Sequence, residues 1–296
     1  MPLVDPSTRR YLSRSDLEEA AFGRLAGTTL AGLWVAGSLE GLAAPSVAVV
    51  GTRAPSEDGR RIAQRLAADL GRAGVCVISG LALGIDAAAH EGSVAVGAPT
   101  IGVLGGGHER FFPRRNAELA RRVIAAGGAV VSPYPPDHPA FPAQFLARNG
   151  IVAALADAVV VVEAALRSGA LNTASWAADR SIPVMAFPGD IARPKVAGCL
   201  ALIRDGATLV RDAADVLAHL GLAAPALQRV PPMPVDPDPI ARRILRVLAQ
   251  GPADTDTVVA SSAAPVALAL ARLGELLAAG AIVEGADGRF RRSADP

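Results

Sequence analysis

The residues best suited to chemistry in this chain are hydroxyls, cations and carboxylates set beside glycines. Gly51-Thr52-Arg53 follows one apolar run, and the stretch from Ser79 and Gly80 through Gly84 to Asp86 follows a second. Gly105-Gly106-Gly107 follows a third, and Ser168-Gly169-Ala170-Leu171-Asn172-Thr173 comes just after a fifth. Glycine lets a backbone turn tightly and lets a ligand come close. The N–H groups that open the next helix attract anions. Any one loop of this kind reads equally well as plain turn chemistry. Four of them, with Arg53 placed straight after the first turn, point to a phosphate-binding surface. Taken alone, Arg53 also reads as a surface ion-pair partner.

Other groups keep two readings each. Asp86 and His90 stand at i and i+4 on one helix face, as an acid–base pair or as a structural hydrogen bond at a helix start. Glu163 closes the strongest apolar run, as a base, a ribose acceptor or a buried acid that accepts backbone N–H bonds. Phe145, Arg148 and Asn149 share the segment 141–150. An aromatic ring near arginine can supply base stacking and phosphate contact together, or Phe145 can be a core residue. No GxGxxG fingerprint follows the first run, and no GxxxxGK[ST] occurs, so neither common dinucleotide nor common NTP binding is indicated. Cys76 and Cys199 are far apart with no CxxC, which gives no metal site, and no cofactor is expected.

The elements that must hold these residues follow from the apolar runs. They lie at 47–50, 75–79, 100–105, 129–132, 158–164, 183–187 and 207–210. Ala-rich stretches of helical period separate them, as at 59–73 and 116–126. Continuous Val/Ile runs alternating with helices predict parallel strands covered on both faces. The expected fold class is α/β: an extended, Rossmann-like, doubly wound, mostly parallel sheet with an antiparallel edge. In such sheets ligands bind beyond the carboxyl ends of the strands. Residues 1–44 read as a short N-terminal extension, 45–220 as the Rossmann-like domain and 221–239, with six prolines, as a linker. In 240–296, helices at 240–250, 254–261 and 265–279 precede a hairpin turning at Asp287-Gly288. Three short helices and a hairpin make a small C-terminal winged-helix domain. Its third helix carries Arg272 beside Glu275, a poor footprint for a major-groove reader, so a protein-contact or structural role is expected.

Composition sets the limits. The chain has 296 residues, 51% hydrophobic and 19% charged, which excludes a disordered chain or a coiled coil. Aromatics are only 4%, so Ala, Val, Leu and Ile must build the core. The net charge of +1 gives no global pull toward polyanions, so a nucleic-acid site must be local. Nearly all cations are arginine; Lys195 is the one lysine. No run approaches ~18 unbroken apolar residues and no signal peptide is visible, so a cytoplasmic protein with no membrane contact is expected.

At these residues the chain resembles the DNA-processing DprA family, also called Smf. VAVVGTRAPSEDGRR resembles that family's opening strand and its Gly-Ser/Thr-Arg turn, and VISGLALGIDAAAH (77–90) its SGxAxGIDxxAH motif. VLGGGHERFFPRRN (103–116) is similar to its YPxxN block, with Phe112 in place of Tyr. VVVVEAALRSGALNTASWA (159–177) and FPGDIARPKVAGCLALIRDGA (187–207) are similar to two further ordered blocks. The likeness runs from about residue 33 to 220, with a tail like the family's C-terminal winged helix. It implies a non-catalytic, dimeric, single-stranded-DNA-binding mediator that loads RecA during natural transformation or repair. A single-stranded-DNA-binding protein is implied as a further partner. Carried over by position, Arg53 would grip a phosphate, helped by Thr52 and the loop N–H groups, those at Gly107 among them. Phe145 would stack on a base, with Arg148 on the backbone and Asn149 beside it. Ser168, Gly169, Asn172 and Thr173 would line the pocket, and Lys195 would face DNA. Ser79, Gly80, Gly84, Asp86, His90 and Glu163 belong to the shared structural motifs. The chain departs from the family's FPxRNR, with Leu146 for Pro and Gly150 for the second Arg, and from its GxN, here Gly198-Cys199-Leu200.

The alternative is a nucleotide hydrolase or phosphoribohydrolase on the same scaffold, with Glu163 or Asp86 as its acid–base group. The PGGxGT-type signature of such enzymes is absent from the chain. A third reading is a nucleotide-sensing module without turnover.

Overall fold

A computed structural model describes residues 8–20, 23–25, 28–222, 239–278, 280–285 and 287–293. The chain divides into two compact units, Met1–Leu227 and Gln228–Pro296. Most of the proline-rich segment 221–239 lies outside the described residues.

In the first unit, β1 (Arg9–Ser13), α1 (Arg14–Ala20) and β2 (Gly32–Gly37) precede β3 (Ser46–Val50) and α2 (Glu57–Arg72). Next come β4 (Cys76–Ser79), α3 (Ile85–Ala95), β5 (Thr100–Val103), α4 (Ala117–Ala125) and β6 (Ala129–Ser132). Then follow α5 (Pro142–Ala154), β7 (Ala158–Val161), α6 (Gly169–Ala178) and β8 (Val184–Ala186). The unit closes with α7 (Ala197–Arg204), β9 (Thr208–Leu209) and α8 (Ala213–His219).

One nine-stranded sheet results, in the order β1-β2-β6-β5-β4-β3-β7-β8-β9. Strands β3 to β9 pair in parallel, each where an apolar run predicts it. The last is shorter than expected, two exposed residues at the sheet edge. The antiparallel edge comes from the N-terminus, where β2 pairs with β6 and β1 with β2. Residues 1–44 are therefore not an extension apart from the domain, because their two strands complete its sheet. Trp34 and Val35 conceal this in sequence, since β2 lacks a run of branched residues and opens and closes on glycine.

Successive strand side chains face opposite sides of the sheet. Val47 and Val49 of β3 join α2, α3 and α8 in one apolar layer, which includes Leu66, Leu70 and Leu217. Ala48 and Val50 join Ile151 of α5, Leu155 just after it and Ala174 of α6 in the other. Both faces are covered, as parallel sheets require. The chain runs outward from β3 through β4, β5 and β6, then returns to β3's other side with β7. This reversal puts the topological switch point between β3 and β7, where the carboxyl ends part to leave a crevice.

The second unit holds α9 (Pro239–Leu248), α10 (Thr255–Ser262), α11 (Val266–Ala278), β10 (Ile282–Glu284) and β11 (Phe290–Arg292). β10 and β11 form an antiparallel hairpin, and Ala253 bridges to Phe290. Ile244, Leu248, Val258, Leu273, Ile282 and Phe290 form its core, giving a winged helix. Among the described residues no single helix is long and apolar enough to cross a membrane.

Candidate functional site

The loop after β3 is tied down at both ends. Thr52 N–H donates to the Glu163 carbonyl at 2.7 Å, and Ile85 N–H donates to the Thr52 carbonyl at 3.2 Å. The loops after β3, β4 and β7 are thereby laced together. Gly84 turns with φ +85°, and a Cβ there would overlap the Thr52 carbonyl, so the close approach needs glycine. Thr52 serves this lacing, and Arg53, next to it, stands exposed.

Glu163 is 3% exposed and caps α2. Its carboxylate accepts the Ser56 N–H at 3.1 and 3.2 Å and the Ser56 hydroxyl at 2.6 Å. Ser56 Oγ in turn accepts the Gly59 N–H at 3.0 Å. Of its sequence readings, the buried acid that accepts backbone N–H bonds is the one the geometry matches. Asp86 and His90 do not bond each other. Asp86 accepts the Gly80 N–H at 3.1 Å and lies 3.8 Å from Arg148. Thr100 Oγ1 donates to the Val77 carbonyl, so His90 Nδ1–H donates to Thr100 Oγ1 at 2.9 Å. Burial drives the His90 pKa down to about 3, which keeps the ring neutral. Burial raises the Asp86 carboxyl, against the opposing pull of Arg148. The acid–base reading of this pair is not supported by its geometry.

At the switch point a cleft of about 300 Å³ opens. Val50, Gly51 and Arg53 line it from β3 and its loop, and Ala82 and Asp86 from the loop after β4 and from α3. Helix α5 contributes Phe145, Leu146, Arg148 and Asn149, and the start of α6 contributes Ser168, Gly169, Ala170 and Thr173. Phe145 is the centre. The Arg53 guanidinium carbon lies 5.3 Å from its ring centroid, and that of Arg148 5.8 Å. Both are within cation–π range.

The two arginines differ sharply. Arg148 is 4% exposed, and its Nε has no hydrogen-bond partner. Burial lowers its pKa, and Asp86 opposes that shift. A Cβ at Gly80 would overlap its guanidinium, so glycine in this motif is what admits the arginine. Arg53 is exposed and makes no ion pair among the described residues. Asn149 Nδ2 donates to the Gly169 carbonyl at 3.1 Å and to Asn172 Oδ1 at 3.2 Å, which joins α5 to the start of α6. Ser168 caps α6 by accepting the Ala170 N–H.

Other sequence-read positions lie beside the cleft wall. Asn172 meets it through Asn149. Lys195 Nζ donates to the Ala54 carbonyl at 2.7 Å, next to Arg53. Gly107 N–H donates to the His138 carbonyl at 2.8 Å, which commits that N–H within the protein. Ser79 donates to the Val49 carbonyl inside the sheet. Gly150 is buried against Trp176, so the position where the family carries its second Arg faces inward here. Cys199 is buried and its thiol pKa is pushed up to about 11. Sequence reasoning missed Leu146 as a wall residue, because an exposed leucine carries no signal of its own. Elsewhere, at the amino ends of β7 and β8, a shallower depression of about 520 Å³ holds Arg24, Asp157 and Arg180. Arg24 and Asp157 pair there at 2.9 Å and so neutralise each other.

The fold and the cleft define a doubly wound α/β protein with a cleft at its switch point. The chain belongs to the DNA recombination-mediator protein A family, whose model matches residues 27–221. It is 43% identical to Protein Smf of Escherichia coli over 188 residues, 64% of this chain and 50% of that protein. The match thus spans about half of that relative's length. The solved structure of DNA processing protein A from Streptococcus pneumoniae is similar, with a TM-score of 0.64 and 36% identity. The likeness covers 71% of this chain and 73% of that one. DNA processing protein A from Helicobacter pylori, solved to describe its single-stranded DNA binding mode, has a TM-score of 0.64 and 26% identity. There the likeness covers 74% of this chain and 98% of that one.

Proposed function

We propose that this chain binds single-stranded DNA in the crest cleft and acts as a recombination mediator. The observation that carries this reading is the pair of guanidiniums over Phe145 at the switch point. A half-buried aromatic ring gives a base a stacking surface, and stacking tolerates any base. Arg53, exposed and unpaired among the described residues, is free to meet a phosphate. The first turn of α6 faces the same cleft and adds its N-terminal positive potential. Arg148 is buried with Asp86 as its counter-charge, so it shapes the cleft wall beneath Phe145 and does not reach a DNA phosphate. Lys195 braces the Arg53 loop and adds charge beside it.

The mediator reading includes protection of the incoming strand and loading of RecA, with the protein working as a homodimer in the cytoplasm. A single-stranded-DNA-binding protein is then the competitor or partner on the same strand. In the winged helix, Arg272 pairs with Glu275 and Arg291 with Asp287, which favours a protein contact over DNA reading. Glu163 and Asp86 are both committed to holding backbone, which supports binding over catalysis.

Binding is tested by fluorescence anisotropy on labelled single-stranded and duplex oligonucleotides. Preference for single strands with little dependence on sequence is expected. Loading is tested by RecA filament growth on strands precoated with single-stranded-DNA-binding protein. Growth should speed up when this protein is added, and unchanged growth would remove the loading role. Light scattering should give twice the chain mass; a monomer at micromolar concentration would contradict the dimer.

A further inference from the structure

The depression of about 520 Å³ at the amino ends of β7 and β8 lies at the other end of the strands from the crest cleft. Its volume is that of a small-ligand site. Of its charged groups, two are already engaged. Asp157 accepts from Arg24 Nε and Nη2 at 3.2 and 2.9 Å and from the Ser46 N–H and hydroxyl at 2.8 and 3.2 Å. Arg24 also donates to the Leu42 and Ala44 carbonyls. Arg180 is left over. Its side chain makes no ion pair or hydrogen bond among the described residues, and its Nε is buried without a partner. A buried donor is ordinarily paired. The Arg180 guanidinium carbon lies 5.8 Å from the centroid of the Trp176 ring, which itself packs on Gly150. That contact holds the guanidinium in place and uses none of its N–H donors. Beside it, Ser181 follows α6 in the left-handed region at φ +57°, a conformation that glycine adopts at less cost. Serine there puts a hydroxyl at the wall of the depression. The rest of the lining is aliphatic: Ala154, Ala156, Ile182 and Pro183.

We propose that this depression binds an aliphatic carboxylate, with Arg180 as its anchor and Ser181 as a further donor. The planar fork of a guanidinium matches the two oxygens of a carboxylate. Two arginines and one aspartate line the depression and leave a net +1, which one carboxylate balances. The aliphatic wall then takes the apolar group that carries the carboxylate. A nucleotide does not match this lining, because it contains no aromatic ring and Arg180 covers the nearby Trp176. A free branched-chain acid and the carboxyl end of a polypeptide finishing in an aliphatic residue share the required chemistry. The site is independent of the crest cleft and of the single-strand reading.

The chain's own tryptophans report binding. Trp176 touches Arg180, while Trp34, the other of the two, lies on β2, far across the sheet from β8. N-acetyl-leucine should change tryptophan emission saturably at neutral pH, and N-acetyl-leucinamide, which lacks the charge, should not. Calorimetry reads the same titrations in the variants. R180Q should weaken binding of the acid roughly 10- to 150-fold, the size of a lost charged hydrogen bond. R180K, a cation without the fork, should restore it only in part. Ser181→Gly suits the left-handed backbone and so keeps the fold. It should weaken binding roughly 2- to 12-fold, the size of an ordinary hydrogen bond. A short peptide ending in leucine that binds more tightly than N-acetyl-leucine assigns the site to a chain end, and equal affinity assigns it to the small acid. Acid and amide binding alike, inorganic phosphate binding as tightly as N-acetyl-leucine, or equal affinity in wild type and R180Q would each overturn the proposal. Oligothymidine affinity should be unchanged in R180Q, and its loss would overturn the proposal by making the depression part of a DNA site.

Discussion

The guanidinium of Arg53 lies 5.3 Å from the ring centroid of Phe145, though the two come from opposite flanks of the sheet's switch point. In the proposed reading their pairing joins a stacking face and an exposed cation. The two are separable by experiment. Phe145→Leu keeps the bulk and removes the π-face, so binding should weaken by about 1–3 kcal/mol with the salt slope unchanged. A slope that falls with this substitution would show that the ring acts by holding Arg53 and not by stacking.

Arg148 is sealed in the wall with Asp86 as its counter-charge. Asp86→Asn leaves that guanidinium buried and uncompensated, which should cost on the order of 3 kcal/mol in denaturant unfolding. The same variant loses no exposed charge, so a folded fraction should still bind single strands. Unchanged stability would mean that Arg148 is neutralised by some other group.

Glu163 separates a binding protein from a hydrolase. Glu163→Gln weakens a carboxylate cap that accepts an N–H and a hydroxyl from Ser56, an expected loss of roughly 1–3 kcal/mol in stability. Per folded molecule, DNA affinity should be unaffected. Release of free base from a nucleotide panel by wild type, abolished in this variant, would instead support the enzyme.

Stability should fall on mild acidification because of His90. Its pKa is depressed to about 3 in the folded protein, from an ordinary 6.5. The unfolded chain then binds the proton more readily, so stability rises with pH across the window from about 3 to 6.5. The contribution is fully present above 6.5 and is lost as pH falls toward 3. Burial lowers the His108 pKa too, with the same sign. Urea midpoints at pH 7 and pH 5 should differ, and His90→Gln should reduce the difference. Equal pH dependence in the variant would assign the effect elsewhere.

The central parallel strands β3 to β7 were legible because each is a short apolar run buried on both faces. An antiparallel edge was expected, but the strands that form it were not legible, because β2 reads LWVA between glycines and pairs with β6 from far along the chain. Arg53 and Phe145 were legible as types, and their meeting was not, since strand order decides it and no local pattern encodes the reversal at β3 and β7. Asp86 and His90 illustrate the converse. Helical spacing puts them on one face, yet Asp86 bonds to the Gly80 loop and His90 to Thr100 of β5. Phe112 was visible only as a substitution within a block; its exposure and its contact with Phe145 belong to the tertiary structure.

The most direct test of the account is fluorescence anisotropy of wild type and Arg53→Ala with a labelled single-stranded oligonucleotide over a salt series. Wild type should bind with a steep salt dependence and prefer single strands to duplex. Arg53→Ala should lose roughly 1.5–3 kcal/mol of binding, as expected for a charged hydrogen bond, and its slope should fall by about 0.7. Equal affinity and equal slope in the two proteins would contradict the crest cleft as the single-strand site.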